Sequence, residues 1–228
     1  MHRMFTDFVS MLFPEYCLMC SGPLERGEES ICIHCKYNLP VTNHHLSSSA
    51  EVLQKFWGKV PLRYAWAYLK FTKQGNVQKV LHKLKYNGHQ QIGITLGHWY
   101  GHELSAASLN KEFDFILPVP LHPDKLKKRG YNQSDTFAKG LSDSMGLPWY
   151  QNVLQKGTFN ETQTNKRRLE RWQNVKDVYC VKDATVIANQ RILLVDDVVT
   201  TGSTLEACAL TLVEAACKEV SIATIATA

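Results

Sequence analysis

The chain has 228 residues, a mass of 25.9 kDa, 44% hydrophobic and 21% charged residues, and a formal charge of +5. That mixture excludes a disordered chain, and no apolar run approaches the ~20 residues that a transmembrane helix needs. The length suits one main domain of ~150–200 residues with a small appended module.

The charge is unevenly placed. Residues 120–176 hold 11 Lys and Arg against 5 Asp and Glu, a local +6, so the remainder sums to about −1. A central basic stretch points to a phosphate-bearing partner, either a small phosphorylated substrate or nucleic acid. The first residues, MHRMFTDFVSMLF, are only mildly apolar, include Asp7 and lack a small-residue cleavage site. They read as part of the fold, and the protein as cytoplasmic.

Of the seven cysteines, four come early as two pairs, Cys17-Leu-Met-Cys20 and Cys32-Ile-His-Cys35, with eleven residues between the pairs. A Cys-x2-Cys knuckle places two thiolates on one tight turn, and two knuckles close a tetrahedron around zinc. The alternative is a set of redox-active or merely structural thiols. Four thiolates complete the shell, so such a zinc is structural and not catalytic. His34 lies inside the second knuckle and reads as a neighbour. Cys180, Cys208 and Cys217 are scattered among apolar residues. The expected division is a metal module over residues 1–45 and a main domain over 46–228, with a linker-like stretch at 41–60.

Residues 63–71 read as an aromatic-rich strand. Val77, Val80, Leu81 and Leu84 recur at helical spacing, and Asn87-Gly88 stops that helix. A second helix is expected over 90–107. Phe113–Val119 is a short buried strand ending at prolines, followed by a long polar loop and a helix from about Ser134 to Met145. Val178–Val181 and Arg191–Val195 read as strands, 204–217 as a helix, and the last residues as a final strand. Strands alternating with helices predict an α/β fold with a mostly parallel sheet, whose ligands bind at the carboxyl ends of the strands.

After Val195 come two carboxylates, Asp196 and Asp197, and then five small, hydroxylated or glycine residues, Thr200, Thr201, Gly202, Ser203 and Thr204. Backbone N–H groups at a helix start, together with its dipole, cradle a phosphate, and hydroxyls add donors. Gly202 lets the backbone approach closely. Two carboxylates ahead of that cradle suit a phosphorylated sugar with vicinal hydroxyls, or Mg2+ held through water. The spacing is not that of a Walker A loop. The alternative is a capped helix behind an exposed acidic pair.

Two basic segments accompany this unit. Lys125, Lys127, Lys128 and Arg129 precede Gly130-Tyr131-Asn132-Gln133 and suit a pyrophosphate or a DNA backbone, or else form a solvated turn. Residues 162–174 hold Arg167, Arg168 and Arg171, suited to phosphates, and Trp172, suited to stacking on a base, or else form a solvated segment with Trp172 packed beneath. Lys85 beside Tyr86 suits nucleic acid, or else a helix end.

The stretch ILLVDDVVTTGSTL resembles the 5-phosphoribosyl 1-pyrophosphate (PRPP) motif of type I phosphoribosyltransferases. LPVPLHPDKLKKRGYNQS, residues 117–134, resembles a signature of the ComF family of competence and GntX-like proteins. With the four cysteines, Leu84-Lys85-Tyr86 and the Gln/Arg-rich segment, the resemblance covers nearly the whole chain. It implies a type I phosphoribosyltransferase fold with a small N-terminal zinc module. By the family pattern Thr200–Thr204 take the 5′-phosphate. Asp196 and Asp197 take the ribose and Mg2+, and are the catalytic candidates. The loop after the 113–119 strand takes the pyrophosphate, with Lys128 and Arg129 as the expected contacts. The implied activity is Mg2+-dependent phosphoribosyl transfer to a nitrogen acceptor, linked to natural competence. The alternative is a non-catalytic factor that binds single-stranded DNA or a competence protein and keeps the PRPP site as a regulatory or vestigial pocket.

Overall fold

Buried apolar runs at strand spacing build the centre of the protein. The computed structural model describes residues 15–47, 50–73, 75–86, 88–156 and 179–228. Along the chain the strands are β1 (Ala65–Lys70), β2 (Phe115–Pro118), β3 (Leu154–Lys156), β4 (Tyr179–Val181), β5 (Arg191–Val199) and β6 (Glu219–Thr227). The helices are α1 (Ile33–Tyr37), α2 (Glu51–Gln54), α3 (Asn76–Tyr86), α4 (Gln90–Ala106), α5 (Pro123–Arg129), α6 (Gln133–Met145) and α7 (Ser203–Glu214). The main sheet has the order β1-β6-β5-β2, with every neighbouring pair parallel. The expected α/β class with a parallel sheet is therefore borne out.

The sheet is covered on both faces, which is why its strands are apolar on both sides. Alternation along each strand divides the residues between two cores. Leu193 and Val195 of β5, with Trp66 and Tyr68 of β1, pack toward α3, α4 and α6. Ile192 and Leu194, with Ala65 and Ala67, pack toward α7 and the segment holding Val52 and Phe56. The chain's last strand, β6, lies inside the sheet, buried from Val220 onward through Thr227.

Helices α4 and α6 approach through glycine. A Cβ on Gly97 would lie 2.5 Å from the Phe137 carbonyl oxygen, and one on Gly140 would lie 2.1 Å from that of Ile94. Backbone cannot yield as a flexible side chain can. Gly140→Ala is expected to cost about 2–3 kcal/mol despite the better helix propensity of alanine. In a chain of this size that lowers the melting temperature by roughly 5–10 °C, measurable by calorimetry.

The structure revises four local expectations. Residues 41–60 are not a linker. Val41 bridges Leu69, the Thr42 amide donates to the Tyr68 carbonyl at 2.9 Å, and Phe56 is buried. The "polar loop" after β2 contains α5, built from start and stop signals alone: His122 caps it, Pro123 opens it, Asp124 lies in the first turn and Gly130 closes it. With Leu126 as its sole large apolar residue, it carries no periodic signal. Strand β4 pairs antiparallel with β3 and not with the main sheet. Strand β5 runs on to Val199, so Asp196 and Asp197 lie within the strand and not in a turn after it.

Candidate functional site

The site forms where two neighbouring parallel strands part. β2 pairs with β5 only as far as Pro118 opposite Val195. Beyond that point β5 continues beside β6, while the chain after β2 turns away into α5. The crevice at this divergence is the place where open α/β sheets bind ligands. A cavity of about 180 Å3 opens there, lined by Asp196, Asp197 and Thr204 together with Lys85, Lys125, Arg129 and Lys156.

The RGYNQS stretch explains how the crevice is held. The Arg129 guanidinium donates to Gln133 Oε1 at 2.6 Å. The Tyr131 hydroxyl donates to the Leu84 carbonyl, joining this stretch to the end of α3. The Asn132 side-chain amide donates to the Val119 carbonyl at 3.0 Å, and its oxygen accepts from the Ser134 amide as the cap of α6. Ser134 then donates its hydroxyl to Asp196 Oδ1 at 2.8 Å, an oxygen that also accepts from the Asp197 amide at 2.8 Å. Asp197 is paired through its Oδ2 with Lys85 Nζ at 2.8 Å.

Burial, and then the charge of Asp197, push the Asp196 carboxyl up to about 7. The Asp197 amide, the Ser134 hydroxyl and Lys85 oppose that rise without cancelling it. Desolvation of the charged form therefore dominates, as it does for buried carboxylates generally. Tyr179 and Thr204 both line the cavity, and burial raises the Tyr179 phenol well above the ordinary range. Lys156 Nζ lies 5.4 Å from the Tyr179 ring centroid.

The hydroxyl-rich turn follows directly. Gly202 has φ +86° and ends the turn as the cap of α7. A Cβ there would sit 2.9 Å from the Phe56 ring, so the position requires glycine on both counts. Lys55 Nζ donates to the Thr200 carbonyl at 2.8 Å, and Thr201 Oγ1 lies 3.3 Å from Ser203 Oγ. Thr200, Thr201 and Ser203 face solvent at the start of α7, while Thr204 lines the cavity.

Asp196, Asp197, Thr204 and Arg129 thus come together around one cavity, while Thr200–Ser203 precede Thr204 in the chain and are not among the residues lining it. Lys128 lies on α5 and is not among the residues lining the cavity. Arg167, Arg168, Arg171 and Trp172 lie outside the described residues. Sequence reasoning missed the pairing of Lys85 with Asp197, and missed Ser134, His122, Lys156 and Tyr179 altogether. Ser134 stood inside the recognised motif and was within reach. For Lys156 and Tyr179 no local signal exists, because the β3–β4 ribbon alone brings them here.

The four paired cysteines form a second centre. The ligand atoms of Cys17, Cys20, Cys32 and Cys35 all lie within 4.8 Å of one another, a cluster that could hold a metal ion. Cys17 Sγ accepts from the amides of Met19 at 3.4 Å and Cys32 at 3.3 Å, and Cys32 Sγ from the Cys35 amide at 3.4 Å. Burial works against ionisation of Cys17, but the amides of Cys20, Cys32 and Met19 outweigh it and bring the thiol down to about 6. The module sits on α4. Ser30 Oγ lies 3.0 Å from Thr95 Oγ1, and Lys36 Nζ lies 4.7 Å from the Trp99 ring centroid.

Comparison with known proteins agrees with these observations. Residues 126–228 match the phosphoribosyl transferase domain family. The chain is 27% identical to "Competence protein F" of Haemophilus influenzae, over 83% of this chain and 86% of that one. It is 26% identical to the "DNA utilization protein YhgH" of Escherichia coli O157:H7, covering 84% and 87%. It is also 26% identical to "Competence protein ComFC" of Streptococcus pneumoniae, covering 90% and 84%. The resemblance read from the sequence, to the ComF family of the type I phosphoribosyltransferase superfamily, is borne out. Among the described residues no helix is long and apolar enough to cross a membrane.

Proposed function

We propose that this chain, a relative of the ComF-type phosphoribosyltransferases, binds PRPP or a closely related phosphoribosyl ligand and transfers its phosphoribosyl group to a nitrogen nucleophile. The observation that supports this most is the meeting of Asp196, Asp197 and Thr204 with four cations, Lys85, Lys125, Arg129 and Lys156, in one cavity at the end of β5. A polyanion with neighbouring hydroxyls matches that charge pattern. The 5′-phosphate rests on the amides and hydroxyls of Thr200–Thr204 at the start of α7, and the ribose hydroxyls donate to Asp196 and Asp197. Arg129 and Lys125 on α5 face the leaving pyrophosphate, and Lys128, which does not line the cavity, has no part in it.

In the transfer, the bond from the anomeric carbon to the pyrophosphate oxygen breaks and a bond from that carbon to the nitrogen forms. Pyrophosphate leaves with the bonding electrons, and the nitrogen gives up its proton. The residues contribute positioning and a preset field for the leaving group, with no covalent enzyme intermediate. Hard carboxylate oxygens at Asp196 and Asp197 fit Mg2+. Bound with the ligand, the ion would neutralise pyrophosphate charge. Four clustered thiols, with amides directed at Cys17 and Cys32, fit structural zinc. We assign residues 1–45 to that module and 46–228 to the phosphoribosyltransferase-like domain. The names of its relatives support a role for the chain in competence and DNA utilisation.

Calorimetric titration with PRPP, with and without Mg2+, tests the reading. The expected result is binding that Mg2+ strengthens, followed by pyrophosphate release on screening nitrogen nucleophiles. A folded, zinc-loaded protein that takes up no PRPP sinks it.

The pH dependence has a definite sign. Asp196 holds its proton up to about 7 in the folded protein, against an ordinary value of 3.8. The folded state therefore binds the extra proton between those values, and the associated stability is lost as pH rises from about 4 to 7. Asp196→Asn, neutral throughout, is expected to gain stability relative to wild type across that window, level off above it, and show the gain in paired thermal melts. PRPP–Mg2+ affinity of the wild type should rise through the same window, because the ionised carboxylate is the binding form.

One observation favours a second reading, a DNA-binding factor without catalysis. Lys127 and Lys128 project from α5 into solvent and Tyr37 on the cysteine module is 89% exposed, and exposed basic and aromatic groups are each suited to single strands. Such binding would fall steeply with salt, whereas pyrophosphate turnover would identify the enzyme.

A further inference from the structure

The recognised motif accounts for Asp196, Asp197 and the hydroxyl turn, but it leaves the ammonium of Lys85 without a role. Lys85 stands in the last turn of α3 and reaches Asp197 Oδ2 at 2.8 Å, with side-chain exposures of 26% and 16%. Its two chain neighbours are fixed to the basic stretch. The Leu84 carbonyl accepts from the Tyr131 hydroxyl, and the Arg129 guanidinium lies 5.4 Å from the Tyr86 ring centroid. The backbone that carries Lys85 is therefore held against the cavity, and the rotatable bonds of its four-carbon stem allow the ammonium more than one direction.

An ammonium bound to one carboxylate of an acidic pair occupies the charge position that a divalent cation would take. Both cannot hold the same oxygen without strong repulsion. Arg129 and Lys125 line the same cavity and, in the reading above, form its phosphate-binding side. A lysine suits exchange between the two sides, being a compact charge with rotatable donors and no fixed fork geometry.

We propose that Lys85 is a resident counter-ion that guards Asp197 in the ligand-free site. When a pyrophosphate-bearing ligand arrives, Lys85 passes to its phosphate oxygens and releases Asp197 to the cation. Ligand and cation binding are thereby coupled, and the cation is kept out of the site until the ligand is present. The proposal rests on the phosphoribosyl reading above and assigns Lys85 a positioning role within it.

The test uses the full, zinc-loaded chain with two separate probes, Mg2+ alone and inorganic pyrophosphate alone, titrated calorimetrically against wild type and Lys85→Met. Removing the ammonium should tighten Mg2+ binding roughly tenfold, since a competing positive charge is gone. It should weaken pyrophosphate binding roughly tenfold, since one charge-assisted contact is gone. Lys85→Gln should repeat both shifts, which keeps the test open should the methionine variant not fold, and Lys85→Arg should recover most of the pyrophosphate affinity. A merely structural ion pair would not move the two affinities in opposite directions. Unchanged Mg2+ affinity, or unchanged pyrophosphate affinity, in the variants overturns the proposal while wild-type PRPP binding leaves the phosphoribosyl reading standing. A wild type that binds neither PRPP nor pyrophosphate overturns both.

Discussion

Asp196→Asn/Asp197→Asn is expected to lose PRPP affinity by at least about a hundredfold. In the proposed complex each carboxylate accepts charge-assisted hydrogen bonds from sugar hydroxyls or holds Mg2+, and such bonds contribute about 1.5–3 kcal/mol apiece. The fold should survive the change. Asparagine keeps the shape, and its side-chain oxygen at position 196 can still accept from Ser134 and from the amide of residue 197, as Asp196 does at 2.8 Å in both cases. Burial and the Asp197 charge both disfavour ionised Asp196, so removing its charge relieves an electrostatic cost. Lys85 would lose its partner, but its side chain is 26% exposed and can turn to water at small cost. The measurement is titration of PRPP with Mg2+ beside a thermal melt of each protein. Loss of binding with an intact melt supports the site, and undiminished binding by the double variant refutes it.

Metal removal is expected to have the second large effect. Structural zinc contributes on the order of 10–16 kcal/mol to zinc-finger peptides, where it is nearly the whole folding free energy. Here Cys17, Cys32 and Cys35 are buried beside Met19, Ile31 and Leu39, so part of the module's stability comes from its contact with the main core. A chelator, or Cys35→Ser, should therefore open residues 15–40 to proteolysis while the parallel sheet persists. The contact of Lys36 with Trp99 would be lost with it and should change tryptophan emission. The expected metal content is one zinc per chain in the wild type and less in the serine variant. Protease resistance of this segment after complete metal loss would refute a metal-built module.

Some features are fixed by short-range chemistry and can be read in one dimension. The knuckle spacing of Cys17, Cys20, Cys32 and Cys35 is one, and the structure gathers the four ligand atoms within 4.8 Å. The apolar run from Ile192 to Val195, followed by Asp-Asp and a glycine–hydroxyl turn, is another, because strand burial, carboxylate placement and helix capping each depend on adjacent residues. The helical spacing of Val77, Val80, Leu81 and Leu84 likewise emerges as the buried face of α3.

Other features follow from pairings between distant residues, which leave no local trace. Lys85 and Asp197 are far apart in the chain, and the sheet order places them together because β5 outruns β2 and α3 ends beside the crevice. The stretch 41–60 reads as a linker because it is polar and short of pattern. Its order comes from the free edge of β1 and from Phe56 filling the space beside Gly202. Strand β4 reads like the other strands, yet its partner is β3, a choice set by which edges the sheet leaves available. Local propensity and spacing thus determine the α/β class, the cysteine module and the acidic–hydroxyl unit in the sequence itself. The cations that surround that unit, and the pairing that holds Asp197, are decided only by tertiary structure, since charge acts through space and not along the chain.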